Sequence, residues 1–96
     1  MRIARVVGSA VSTVKTESLR GRSLLIVREA TVGDELIGPP LVAVDAVGAG
    51  AGELVLISEG SAGRFTPATQ ECPVDAVIMG ILDSLEVDGQ TTFRKS

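Results

Sequence analysis

Few residues of this chain have types and spacings that could do chemistry. They are a single cysteine, Cys72, the aspartates Asp45, Asp75 and Asp83 on or beside extended segments, and the run Gly48-Ala49-Gly50-Ala51-Gly52. The 96 residues include no histidine, which removes the commonest general base and the commonest metal ligand at neutral pH. Cys72 therefore lacks the partner that activates a thiol nucleophile, and ahead of Pro73 it reads as a small, partly buried residue. The aspartates could share acid–base work or hold a divalent metal if they converged. At strand ends, carboxylates more commonly accept backbone hydrogen bonds or pair with arginine across an interface, and that reading is preferred. The glycine run fails the phosphate-loop test, which requires a Lys-Ser/Thr pair and then a helix; Glu53 and a β-rich segment follow instead. Its glycines permit positive φ and close backbone approach, and the alternation with alanine keeps the loop narrow enough to pack against another chain. No catalytic residue, cofactor or metal is expected.

The elements that must position these residues are read from apolar pattern and turn signals. Residues 3–14, rich in Val, Ser and Thr, predict a long strand with a flexible point at Gly8. Residues 23–28, Ser-Leu-Leu-Ile-Val-Arg, predict a buried strand. Residues 30–40 predict an irregular loop, marked by Gly38-Pro39-Pro40. Residues 41–47 and 53–58 predict a third and a fourth strand on either side of the glycine run. Residues 60–69 predict one short helix with Ser61 as its cap. Residues 74–87 predict the last long strand, apolar at alternate positions from Val77 through Met79 and Ile81 to Leu85 and Val87 apart from Asp83, a period of two. Asp88-Gly89 predicts a tight turn, with residues 90–94 folding back as a short strand.

The fold class is all-β with one short helix, in a single domain over residues 1–96. So short a chain cannot stack two generous sheets, and a small closed β-barrel removes exposed strand edges. Hydrophobic residues make up 45% and aromatics 2% of the chain, so the core must be built from Val, Leu, Ile and Ala. A domain of this size has little stability to spare, and association with other copies would help it.

The net charge of −3 opposes the cationic footprint that nucleic acid demands. Arg2, Arg5, Lys15, Arg20, Arg22, Arg28 and Arg64 could be assembled into a basic face on a barrel of the oligonucleotide-binding type. Such barrels stack bases on aromatic platforms, and only Phe65 and Phe93 are present. No apolar stretch approaches the roughly 20 residues that span a bilayer as a helix, and the first residues carry no apolar run of a signal peptide. With Cys72 alone, no intrachain disulfide can form. A cytoplasmic protein is expected, with no nucleic-acid and no membrane partner.

An ordered set of motifs resembles the EutN/CcmL family of bacterial microcompartment shell vertex proteins. Arg5-Val6-Val7-Gly8 looks like the family's opening strand. Lys15, Leu19-Arg20-Gly21 and Leu24-Leu25-Ile26-Val27 look like its next turn and strand. Val44-Asp45-Ala46-Val47-Gly48-Ala49-Gly50, with Gly52-Glu53 and Val55-Leu56, is the most specific segment. Gly60-Ser61-Ala62 resembles the start of a short helix, with Arg64 close behind. Pro73-Val74-Asp75-Ala76 and Gly80-Ile81-Leu82-Asp83 resemble the closing strand.

The resemblance implies a barrel related to the oligonucleotide-binding topology, five copies of which form a ring. That ring caps the fivefold vertices of a polyhedral shell whose facets are made of different, hexagonal subunits. The implied partners are therefore the chain itself, as a homopentamer, and the facet proteins. The implied assembly residues are Asp45, Gly48, Ala49, Gly50, Gly52, Glu53, Ser61, Arg64, Asp75 and Asp83. The alternative from another class is a barrel that binds single-stranded nucleic acid or a small anionic ligand.

Overall fold

A computed structural model describes residues 1–11, 23–59 and 76–95. It contains strands β1 (Arg2–Ala10), β2 (Ser23–Glu29), β3 (Leu41–Asp45), β4 (Leu54–Glu59), β5 (Ala76–Ile81), β6 (Ser84–Val87) and β7 (Gln90–Arg94). The first five close a barrel in the order β1-β2-β3-β5-β4, while β6 and β7 form a separate two-stranded hairpin. Barrel neighbours run antiparallel except β3 and β5, which are parallel. Every regular element among the described residues is a strand. The expected helix over residues 60–69 lies outside the described residues, as do Ser61, Arg64, Cys72 and Asp75.

Strand alternation turns one residue in two toward the barrel axis. The core is formed by Ala4 and Val6 of β1, Leu25 and Val27 of β2, Ala43 of β3, Val55 and Ile57 of β4, and Ala76 and Ile78 of β5. Among the described residues the core contains no aromatic ring. Ala4, Ala43 and Ala76 alternate in space with branched side chains, which fits the small bore of a five-stranded barrel. Closure also needs strong local bending, and two register shifts supply it. One lies between Val6 and Gly8 of β1, leaving Val7 unpaired against β2. The other leaves Met79 of β5 unpaired against β4.

The second bulge corrects the expected strand over residues 74–87. The segment is not one strand, and its odd positions do not all share one face. Ala76 and Ile78 face the core, and Ile81 packs against it after the bulge. Val77 belongs instead to a second buried cluster with Val44, against which Leu24 and Met79 pack. Both faces of β5 are apolar, so alternation alone could not choose between them, and an extra residue reverses parity partway along. Leu82 donates one further bond to the Leu54 carbonyl at 2.9 Å, and the chain then leaves the barrel at Asp83. The expected turn is present: Asp88 and Gly89 both have positive φ, 52° and 79°, the signature of a tight hairpin turn.

The two mouths of the barrel are closed differently. Arg2, Glu29 and Glu59 continue the inward-facing rows of β1, β2 and β4. They meet at one mouth, with Arg2 Nη1 2.7 Å from Glu29 and Arg2 Nε 3.2 Å from Glu59. The opposite mouth is crossed by the loop between β3 and β4, which contains the glycine run.

Candidate assembly site

That loop is organised by the two acids that bracket it. β3 ends at Asp45 because its side chain takes over the donors that would otherwise continue the ladder. Asp45 Oδ1 accepts the N–H groups of Val47 and Gly48, each at 3.0 Å, and Oδ2 accepts that of Ala49 at 2.9 Å. Such side-chain to backbone bonding is a local alternative to a strand, and it stops β3 two residues short of its expected end. From the other side, Glu53 Oε1 accepts the Gly50 N–H at 2.6 Å. Backbone bonds then join the loop to β1: Gly52 N–H to the Val6 carbonyl at 2.9 Å, and Val6 N–H to the Glu53 carbonyl at 3.0 Å.

Positive φ is required at Gly48 (78°) and Gly52 (85°). A Cβ at either would meet no atom within 4 Å, so glycine is needed there for backbone conformation and not for space inside the subunit. Ala49 turns inward and packs on the barrel core. Ala46, Val47, Gly48, Ala51 and Gly52 remain exposed. The loop therefore presents a flat outer face whose polar backbone is already partly satisfied from within.

The β6–β7 hairpin is tied to this loop. Lys95 Nζ lies 2.7 Å from Glu53 Oε2. The Lys95 hydrogen bond is the main reason that the Glu53 carboxyl falls below its ordinary range, with the Gly50 N–H contributing. Glu53 in turn raises Lys95. Arg5 Nη1 donates to the Gly52 carbonyl at 2.6 Å, its Nη2 pairs with Asp34, and its guanidinium lies 5.9 Å from the centre of the Phe93 ring, within the range of a cation–π contact. An open cleft of about 280 Å³ separates hairpin and barrel, lined by Arg5, Gly52, Glu53, Leu54, Phe93 and Lys95 among others.

Of the residues expected at an assembly surface, Asp45, Gly48, Ala49, Gly50, Gly52 and Glu53 are brought together in this loop. Asp83 is exposed at the root of the hairpin, where its carbonyl accepts the Lys95 N–H at 2.7 Å. Among the described residues no three acidic or cysteine side chains are placed to hold a metal. Three arginines of the imagined basic face are engaged within the chain: Arg2 with Glu29 and Glu59, Arg5 with Asp34, and Arg28 with the Gly38 carbonyl at 2.7 Å. Lys95 and Asp34 went unforeseen. The Asp88-Gly89 turn signals that the chain end folds back, but no local pattern says that Lys95 reaches Glu53.

The chain and its fold match known proteins over nearly their whole length. The family model "Ethanolamine utilisation protein EutN/carboxysome" matches residues 1–83. The chain belongs to the EutN/CcmL family. It is 46% identical to the bacterial microcompartment shell vertex protein PduN of Salmonella typhimurium, over 88% of this chain and 98% of PduN. The solved structure of CcmL from a Nostoc species superposes with a TM-score of 0.91 at 42% identity, covering 99% of this chain and 100% of that one. The pentameric microcompartment shell protein GrpN of Rhodospirillum rubrum superposes with a TM-score of 0.81 at 41% identity, over 91% and 99% of the two chains. The EutN/CcmL match ends at residue 83, so the hairpin lies outside the span of the family model.

Proposed function

We propose that this chain is a structural shell protein whose homopentamers cap the fivefold vertices of a bacterial microcompartment in the cytoplasm, and that it is not an enzyme. The single observation that carries the reading is the near full-length likeness, in sequence and fold, to shell vertex proteins, one of them pentameric. A flat layer of hexagonal units cannot close on itself, and fivefold units supply the curvature. The ring's rim meets hexagonal facet proteins, and no nucleic-acid or membrane partner takes part. A ring requires a heterologous contact whose rotation closes after five steps. The glycine loop, flat and internally bonded, is suited to a neighbouring backbone, and Asp45, Gly48, Ala49, Gly50, Gly52 and Glu53 serve that contact together with Ser61, Arg64, Asp75 and Asp83.

Co-expression with a hexagonal facet protein tests this role. Closed polyhedral particles are expected when the chain is present, and open sheets or tubes when it is omitted. Closed particles of equal number and shape without the chain would contradict it.

A further inference from the structure

Among the described residues, the β6–β7 hairpin is a two-stranded sheet that forms no ladder with the barrel. An isolated two-stranded hairpin is marginal in water. Its register separates two faces. Leu85 opposes Phe93 and Val87 opposes Gln90, so Leu85, Val87 and Phe93 share one face. Ser84, Glu86, Thr91 and Arg94 share the other and are all exposed. At its root, Phe93 is held under Arg5 and lines the cleft with Leu54. Leu85, opposite Phe93, and Val87, toward the tip, are only partly buried.

A second surface has the complementary defect. On the outer side of the barrel, Gly8 pairs with Ile26 and Ile26 with Val42. This row has no polar side chain, although the outer face of an antiparallel barrel ordinarily faces water with polar residues. Val42 is 53% exposed, and Val7, squeezed out by the bulge beside Gly8, is 47% exposed. The neighbouring apolar row on the same face, Leu24, Val44 and Val77, is covered, with Val44 and Val77 buried. Gly8 leaves the row flat, so an extended arm could lie across it.

We infer that the hairpin is the arm by which one subunit grips the next, its Leu85 and Val87 seated on the Gly8–Ile26–Val42 row, beside Val7, of a second copy of this chain. The two surfaces are different and lie on different strands, as a head-to-tail contact repeated around a ring demands. Each subunit gives one arm and receives one, which leaves neither apolar patch facing water in the closed ring. The Glu53–Lys95 ion pair and the Arg5–Phe93 contact fix the root of the arm to the glycine loop and so aim it. This inference rests on the pentameric ring proposed above.

Paired cysteines test it in a Cys72→Ser background. One chain carries Val42→Cys; a second carries Leu85→Cys or Val87→Cys. The chains are mixed, refolded together and oxidised. A disulfide dimer is expected from at least one mixture and from neither chain alone. Lysine variants give a second reading: Val42→Lys and Val87→Lys should each raise the protein concentration needed for half-assembly by tenfold or more, with unchanged circular dichroism. Wild-type rings that form while both mixtures stay unlinked and both lysine variants assemble normally would overturn the arm contact and leave the ring intact. A wild-type chain that never forms a ring overturns both.

Discussion

At one mouth of the barrel, Arg2 spans to Glu29 and Glu59 through side chains that are one-third to one-half exposed. At the other, residues 46–53 fold their own backbone over the opening, laced by Asp45 and Glu53. The first closure is made of charges in water, where Coulomb attraction is weak and salt screens it. The second is made of backbone donors turned inward to carboxylates, which leaves them few other partners. The first mouth can be altered at little cost to the fold. The second couples the barrel core, through Ala49, to the root of the hairpin, through Glu53 and Lys95. A surface meant to meet another subunit repeatedly is better built on the second plan, because its shape is fixed before the partner arrives.

Substitutions at the two mouths break this contrast in order of size. Asp45→Ala removes the acceptor of three backbone donors and should cost about 1–3 kcal/mol, read as a lower midpoint in urea unfolding. Asp45→Asn, which keeps one carbonyl oxygen, should cost less. Gly52→Val forces a β-branched residue to a φ of 85° and should cost about 1–2 kcal/mol, although no atom stands in its way. Arg2→Met at the other mouth should leave the midpoint unchanged at physiological salt and lower it only at low ionic strength. A loss at Arg2 as large as that at Asp45 would erase the distinction between the mouths.

The smallest effect is one of pH on the Glu53–Lys95 link. Glu53 titrates below its ordinary 4.5 because of this contact, so its contribution is present above that value and fades as pH falls through the lowered pKa. Lys95 titrates above its ordinary 10.5, so its contribution is present below that value and fades as pH rises through the raised pKa. Between these limits the link should be constant. Hydrogen exchange, corrected for its intrinsic pH dependence, should show the β6–β7 amides equally protected across the neutral range and loosened in acid. A loosening centred near neutrality would mean that something other than this pair holds the arm.

The barrel strands β1, β2 and β4 were legible as short runs of Val, Leu, Ile and Ala bounded by polar and turn residues. On β5 both faces are apolar, and the bulge at Met79 reverses parity, so a period of two could not tell that the core takes Ala76 and Ile78. The glycine loop was legible in its composition but not in its wiring. Asp45 was legible as a strand-end carboxylate that accepts backbone hydrogen bonds, but not which three amides it binds or that it ends β3 two residues early. Arg2, Glu29 and Glu59 are distant in sequence, and only barrel closure brings them to one mouth. The hairpin turn was legible from Asp88-Gly89, whereas its anchoring by Lys95 depends on where β5 releases the chain.

Native mass spectrometry of the purified chain across a dilution series tests the central claim most directly. A dominant species of five times the single-chain mass, dissociating on dilution without intermediates of larger size, is the predicted result. A monomer at every concentration, or a stable hexamer, would contradict it.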